Sequence, residues 1–135
     1  MKKLILKIAF IAIALMAFNA NLDAITVQFT LDITDSCSPQ PYTGYYFAYI
    51  TINFNGGPTL CSYTTQTNPC NLVQGNNSIS FYCDMEAEAN KCLYEINVRV
   101  CRCTNPLTCC ADSWDTNLCF YQLYTSPYQV IYVKL

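Results

Sequence analysis

Ten cysteines, all of them beyond residue 36, constrain this 135-residue chain more than any other feature. They are Cys37, Cys61, Cys70, Cys83, Cys92, Cys101, Cys103, Cys109, Cys110 and Cys119. An even number of cysteines in a small exported chain argues for disulfides rather than thiols. The rival reading is a metal cluster, suggested by Cys101-Arg-Cys103 and the adjacent Cys109-Cys110. Structural zinc sites usually carry paired Cys-x2-Cys knuckles, often with His. Neither occurs, and the sequence has no His, so no metal or other cofactor is expected. Vicinal and alternate cysteines bridge each other only with strain, so those four are expected to reach four different partners. The connectivity stays open, because ten cysteines allow on the order of a thousand pairings.

The export signal is read from the N-terminus. Lys2, Lys3 and Lys7 precede an apolar run from Ile8 to Phe18, and Asn19-Ala-Asn-Leu-Asp-Ala24 comes next. A basic start, an apolar core of this length and a polar stretch ending in Ala make a secretory signal peptide over residues 1–24. Cleavage falls after Ala20 or Ala24, and residues 25–135 form a single domain. The run is short for a membrane span, the alternative being a retained anchor. The expected destination is secreted and extracellular, or periplasmic, with no membrane contact once the signal is removed. The mature part keeps Lys91, Arg99, Arg102 and Lys134 against nine acidic residues, near −5 in net charge. Four scattered basic residues cannot track a phosphate backbone, which argues against nucleic acid as a partner.

Period-two alternation dominates the chain beyond residue 24. In Cys92–Cys103, Tyr94, Ile96, Val98 and Val100 share one face while Glu95, Asn97 and Arg99 share the other, a strand with one buried and one wet side. Ile25, Val27, Phe29, Leu31 and Ile33 alternate without a break against Thr, Gln, Thr and Asp. A third strand runs from Gly44 to Phe54, with Tyr46, Ala48, Ile50, Ile52 and Phe54 inward and Tyr45, Phe47, Tyr49, Thr51 and Asn53 outward. Asn55-Gly-Gly-Pro58 turns it into a shorter strand, Thr59–Thr64. Gln66–Asn77 reads as a polar loop, Ser78–Cys83 as a strand, and residues 84–91 as one helical turn capped by Asp84. Thr104–Asn117 reads as a long Cys-dense loop carrying Trp114, and Leu118–Tyr124 and Tyr128–Leu135 as closing strands. The fold class is therefore all-β: a disulfide-rich antiparallel sandwich of about seven strands.

One local feature sharpens this. A strand, a short Asp/Glu/Asn turn, and Tyr94 near the start of an alternating strand resemble the E–F corner of immunoglobulin-like and fibronectin-type sandwiches. The resemblance covers Ile79 to Val100 and implies an Ig-like architecture. It departs from the antibody pattern in having no Trp on Gly44–Phe54 or Thr59–Thr64, and implies nothing about antigen-type recognition. The Ile25–Ile33 segment is also similar in pattern to the N-terminal strand of fibre-forming donor-strand subunits, which completes the sheet of a neighbouring chain. That similarity makes Ile25, Val27, Phe29, Leu31 and Ile33 a candidate assembly strand, with the Pro-containing loop behind it as a hinge. The alternative is that the same residues form the first strand of their own sandwich.

Catalysis is disfavoured. Without His, the commonest general base and the usual partner of a Ser or Cys nucleophile are missing, so no enzyme is expected. Asp84, Glu86 and Glu88 form one acidic cluster, readable as calcium ligands or as a solvated turn; the turn is preferred, since calcium loops recruit more oxygens at defined spacing. Asn76-Asn-Ser78 fits the N-glycosylation pattern, which has meaning only in a eukaryotic secretory pathway. Tyr45, Phe47 and Tyr49 form a possible binding face for sugars or another subunit, unless the Cys-rich loop folds Trp114 over it. Three functions emerge, the trailing one a small secreted inhibitor or toxin-like effector whose disulfide density serves protease resistance. The first is a secreted structural or assembly protein, a subunit of an extracellular fibre, surface layer or adhesive coat, with itself or another extracellular protein as partner. The second is a secreted carbohydrate- or protein-binding module that uses the aromatic face, with a glycan or a protein as partner.

Overall fold

The computed structural model describes residues 24–65, 70–85, 92–104, 109–124 and 129–135. Their regular structure is nearly all strand, arranged in two sheets that face each other. The strands are β1 (Ala24–Thr34), β2 (Tyr46–Phe54), β3 (Thr59–Thr64), β4 (Gly75–Asp84), β5 (Tyr94–Arg102), β6 (Cys110–Leu118) and β7 (Val130–Lys134), with one short helix, α1 (Phe120–Tyr124). One sheet has the order β4-β1-β7 and the other β3-β2-β5-β6.

The alternating residues meet where their parity requires. Val27, Phe29, Leu31 and Ile33 of β1 are buried, opposite Phe81 and Ile79 of β4 and Ile131 and Val133 of β7. Tyr46, Ala48, Ile50 and Ile52 of β2 and Tyr94, Ile96, Val98 and Val100 of β5 supply the other wall of the core. A one-residue slip in any of these strands would turn its apolar set into water, so the core itself fixes the register. The β2–β3 hairpin turns through Gly56 at φ 65°, where a side chain would be strained, with the Gly57 N–H donating to the Phe54 carbonyl at 2.8 Å.

Four expectations need correction. Thr104–Asn117 is not all loop: Cys110–Leu118 is the edge strand β6, paired with β5 from Cys101↔Cys110 to Tyr94↔Leu118. Its Asp, Ser, Thr and Asn residues disguise it, because an edge strand with a wet outer face shows little apolar alternation. Leu118–Tyr124 does not continue as a strand, because Phe120–Tyr124 closes into α1. There the Cys119 N–H donates to Gln122 Oε1 at 2.7 Å while the Gln122 N–H donates to the Cys119 carbonyl, which caps the turn, and Leu123 is buried. The polar loop before β4 ends earlier than its composition suggests, since β4 already begins at Gly75. Finally, the sheets are not wholly antiparallel. β7 runs parallel to β1 from Thr30↔Val130 to Thr34↔Lys134, as a chain can when it arrives by a crossover from the other sheet rather than by a hairpin. The helical turn expected at 84–91 falls largely outside the described residues.

All ten cysteines are bridged: Cys37–Cys109, Cys61–Cys83, Cys70–Cys103, Cys92–Cys119 and Cys101–Cys110. Cys61–Cys83 ties β3 of one sheet to β4 of the other, and Cys101–Cys110 ties the neighbours β5 and β6. None of Cys101, Cys103, Cys109 and Cys110 bonds its immediate neighbour, although Cys101 and Cys110 are each other's partner. Five disulfides suit an oxidising environment. No helix among the described residues is long and apolar enough to cross a membrane.

Candidate functional site

The two outward surfaces of the sandwich and one buried polar cluster hold the residues with chemistry to offer. The cluster forms behind β1. Arg102 ends β5 on its inward parity, after Val98 and Val100, and its guanidinium meets Asp35 just past β1: Nε to Oδ2 at 2.6 Å and Nη2 to Oδ1 at 2.9 Å. The Tyr46 hydroxyl donates to Asp35 Oδ2 at 2.7 Å and the Cys37 N–H to Oδ1 at 2.9 Å. Arg102 also donates to the Cys37 carbonyl at 2.8 Å, and the Tyr42 ring lies 4.3 Å above its guanidinium carbon. Burial alone would raise the Asp35 carboxyl; hydrogen bonds from Arg102, Tyr46 and the Cys37 N–H outweigh it and hold it below the ordinary value. Burial, together with the Asp35 carboxylate that accepts its hydrogen bond, pushes the Tyr46 phenol up. The hydrogen bond to Asp35 raises Arg102 further. With its charges matched and its donors engaged, the cluster is a clamp rather than a reactive centre. The sulfurs beside Asp35 belong to the Cys37–Cys109 bridge and are not free ligands.

This clamp bears on the candidate assembly strand. Ile25 is half-buried, and Val27, Phe29, Leu31 and Ile33 are buried in the middle of their own chain's sheet. The loop behind β1, read as a hinge, is pinned by Asp35, by the Cys37–Cys109 bridge, and by Gln40, whose amide donates to the Asp35 and Cys37 carbonyls. Gly44 has the Tyr42 ring folded so closely over it that a Cβ would collide with the phenol.

Both outer faces are open: Tyr82 and Tyr132 stand exposed on the β4-β1-β7 sheet, and the β3-β2-β5-β6 sheet carries the aromatics together with an ion pair. Register places residues in rows across it: Tyr49, Arg99 and Asp112 in one, Thr51, Asn97 and Trp114 in the next, Phe47, Cys101 and Cys110 on the other side. Trp114 is 66% exposed, Tyr49 50% and Tyr45 53%. Arg99 Nη1 lies 3.5 Å from Asp112 Oδ2, both half-exposed, in the same row as Tyr49. Of the three aromatics expected on this face, Tyr45 and Tyr49 are open. Phe47 is only 4% exposed, because it occupies the row of the Cys101–Cys110 bridge. Trp114 does not fold over Tyr45 and Tyr49; it stands on its own strand two strands from Tyr49.

Three members of this face escape sequence reasoning. Composition places Trp114 in a loop, and the pairing of Arg99 with Asp112 needs the β5–β6 register, which no local pattern carries. The Asp35–Arg102 pair has a signal: a charged residue continuing the inward parity of Val98 and Val100 demands a buried partner. In the acidic cluster Asp84 ends β4 exposed, while Glu86 and Glu88 lie outside the described residues. Asn76 and Ser78 are exposed on β4. No known protein family matches the chain, and neither does any curated protein or solved structure.

Proposed function

We propose that the chain is an exported, non-catalytic recognition module of immunoglobulin-like type, presenting the outer face of its four-stranded sheet to an extracellular ligand. The observation that carries this reading is the pairing of Tyr49 and Trp114, both at least half exposed on one face, around an ion pair that the fold does not bury. Broad rings with polar tips, held on strands rather than on loops, suit binding at little entropic cost. The strand order supports the Ig-like class. A β6-β5-β2-β3 sheet follows the G-F-C-C′ order of variable-type domains, and β4-β1 stands where E-B would; β7 departs from the pattern, lying beside β1 where strand A would but running parallel to it. The absence of His supports a non-catalytic role, and five disulfides with a signal-like N-terminus support export. The test is a panel of immobilised glycans and extracellular proteins probed with the mature protein and with a Tyr49→Ala/Trp114→Ala variant. Specific binding lost in the variant supports the reading; binding indifferent to both changes refutes it.

A second reading, an assembly subunit that exchanges β1 between chains, is favoured by the five-position apolar alternation of β1 at the centre of its sheet. It ranks second because the clamp and the disulfide immediately behind β1 tie down the loop that would have to act as the hinge. Negative-stain microscopy across concentration separates the two, since exchange grows filaments and a recognition module does not.

A further inference from the structure

Resting on that recognition reading, we infer that the ligand of this face is a neutral oligosaccharide, laid across the strands from Tyr49 on β2 to Trp114 on β6.

The layout of the face argues for a sugar over a protein. A protein–protein interface has an apolar, fully desolvated core and a polar rim. Here the order is reversed: the centre is Arg99 and Asn97 on β5, with Asp112 paired to Arg99 and Thr51 at two corners of the patch and Tyr49 and Trp114 at the other two. A pyranose has the complementary layout. Its C–H faces are apolar and slightly positive and lie against the negative face of an aromatic ring, while its hydroxyls project around the edge. An oligosaccharide with one ring on Tyr49 and another on Trp114 crosses β5 between Arg99 and Asn97, with Asp112, paired to Arg99, at its side. The guanidinium fork there offers parallel donors and the carboxylate two acceptors, which suits neighbouring hydroxyls on one ring.

Dimensions agree. Two inter-strand steps and one residue pair along the strand separate the Cα atoms of Tyr49 and Trp114 by about 12 Å. That distance is spanned by a short oligosaccharide and not by a single ring. Charge selects among glycans. Arg99 and Asp112 compensate each other, half-buried Glu95 lies on the same face, and the rest of the chain is acidic. A sulfated or uronic-acid chain would be repelled, while a neutral glycan meets no opposing charge.

Trp114 is the only tryptophan in the sequence, so intrinsic fluorescence reports from the face itself. The experiment titrates the mature protein with cellotetraose, chitotetraose and mannotetraose, with a sulfated heparin tetrasaccharide as the charged counterpart, and repeats positive cases by calorimetry on variants. At least one neutral tetrasaccharide should shift or quench the emission saturably and the sulfated one should not. Tyr49→Ala and Trp114→Ala should each weaken binding by about threefold to tenfold. Tyr132→Ala, exposed on the opposite sheet, should leave affinity unchanged. If no neutral sugar binds but a protein or the sulfated glycan does, and that binding is lost in Tyr49→Ala and Trp114→Ala, the sugar assignment is overturned and the recognition face stands. If sugars bind with no dependence on either residue, or nothing binds through this face, both are overturned.

Discussion

Arg102 and Asp35, 67 positions apart in sequence, form a two-pronged ion pair behind β1, with Nε–Oδ2 at 2.6 Å and Nη2–Oδ1 at 2.9 Å. Tyr46 completes it from β2, so one carboxylate joins the first strand, the second and the end of the fifth. A buried pair of this kind is costly to break from one side, because the remaining charge is left without compensation.

Acid should therefore find this carboxylate. Its folded value is depressed below the ordinary 3.8, so its contribution is complete above that pH and is lost as pH falls through the folded value. Denaturant midpoints measured from pH 6 down to pH 2 should fall most steeply below about pH 4. In Asp35→Asn the protein should be less stable at neutral pH, and this acid dependence should flatten. A variant retaining the full acid slope would show that other carboxylates set it.

Tyr46 predicts the opposite limb. Its phenol is pushed above the ordinary 10.0, so its contribution is complete below that pH and declines as pH rises beyond it. Tyr46→Phe leaves the ring's packing but removes a hydrogen bond to a charged acceptor, costing about 1.5–3 kcal/mol at neutral pH. The stability of Tyr46→Phe should be less sensitive to pH between about 9 and 11 than that of the parent protein.

How much of this is readable from the sequence depends on how local the signal is. The buried faces of β1, β2 and β5 are legible because a half-buried strand writes its burial into every second residue: Val27 and Phe29, Ile50 and Ile52, Ile96 and Val98. Strand β6 is not, because Cys110–Leu118 lies at the sheet edge with β5 as its one ladder partner and needs few apolar positions to hold that place. The same omission hides Trp114, since a residue assigned to a loop has no face. The parallel pairing of β7 is equally invisible, because Val130–Lys134 alternates in the same way whichever direction its partner runs.

Disulfide removal should rank by loop length. In the chain-entropy description, losing Cys37–Cys109, with a separation of 72, costs about 4 kcal/mol, and losing Cys101–Cys110, with a separation of 9, about 2.5 kcal/mol. Paired Cys→Ala variants compared by urea denaturation check the order. After alkylation of the denatured, non-reduced protein, mass spectrometry should find no modified thiol.

Leu31 is fully buried at the centre of β1, and Leu31→Ala should cost about 2–5 kcal/mol, whereas Gln28→Ala on the wet face should stay within about 0.5 kcal/mol. If β1 serves its own domain, the denaturation midpoint should not move with protein concentration. A midpoint that climbs with concentration would assign the strand to a neighbouring chain.

The parallel ladder of β1 on β7 sets the order in which the molecule can be completed. Thr30 lies against Val130, and Ser36 donates to the Leu135 carbonyl 99 positions away, so β1 receives one of its two sheet neighbours only from β7, the last of the described strands. Until then one flank of β1 has no backbone partners, and part of its apolar side lacks Ile131 and Val133. Contacts of such long sequence separation slow folding, which for sandwiches of this kind takes milliseconds to seconds. A chain made from its N-terminus thus leaves β1 half-covered until β7 arrives, a window in which its bare flank and apolar side are open to any other strand.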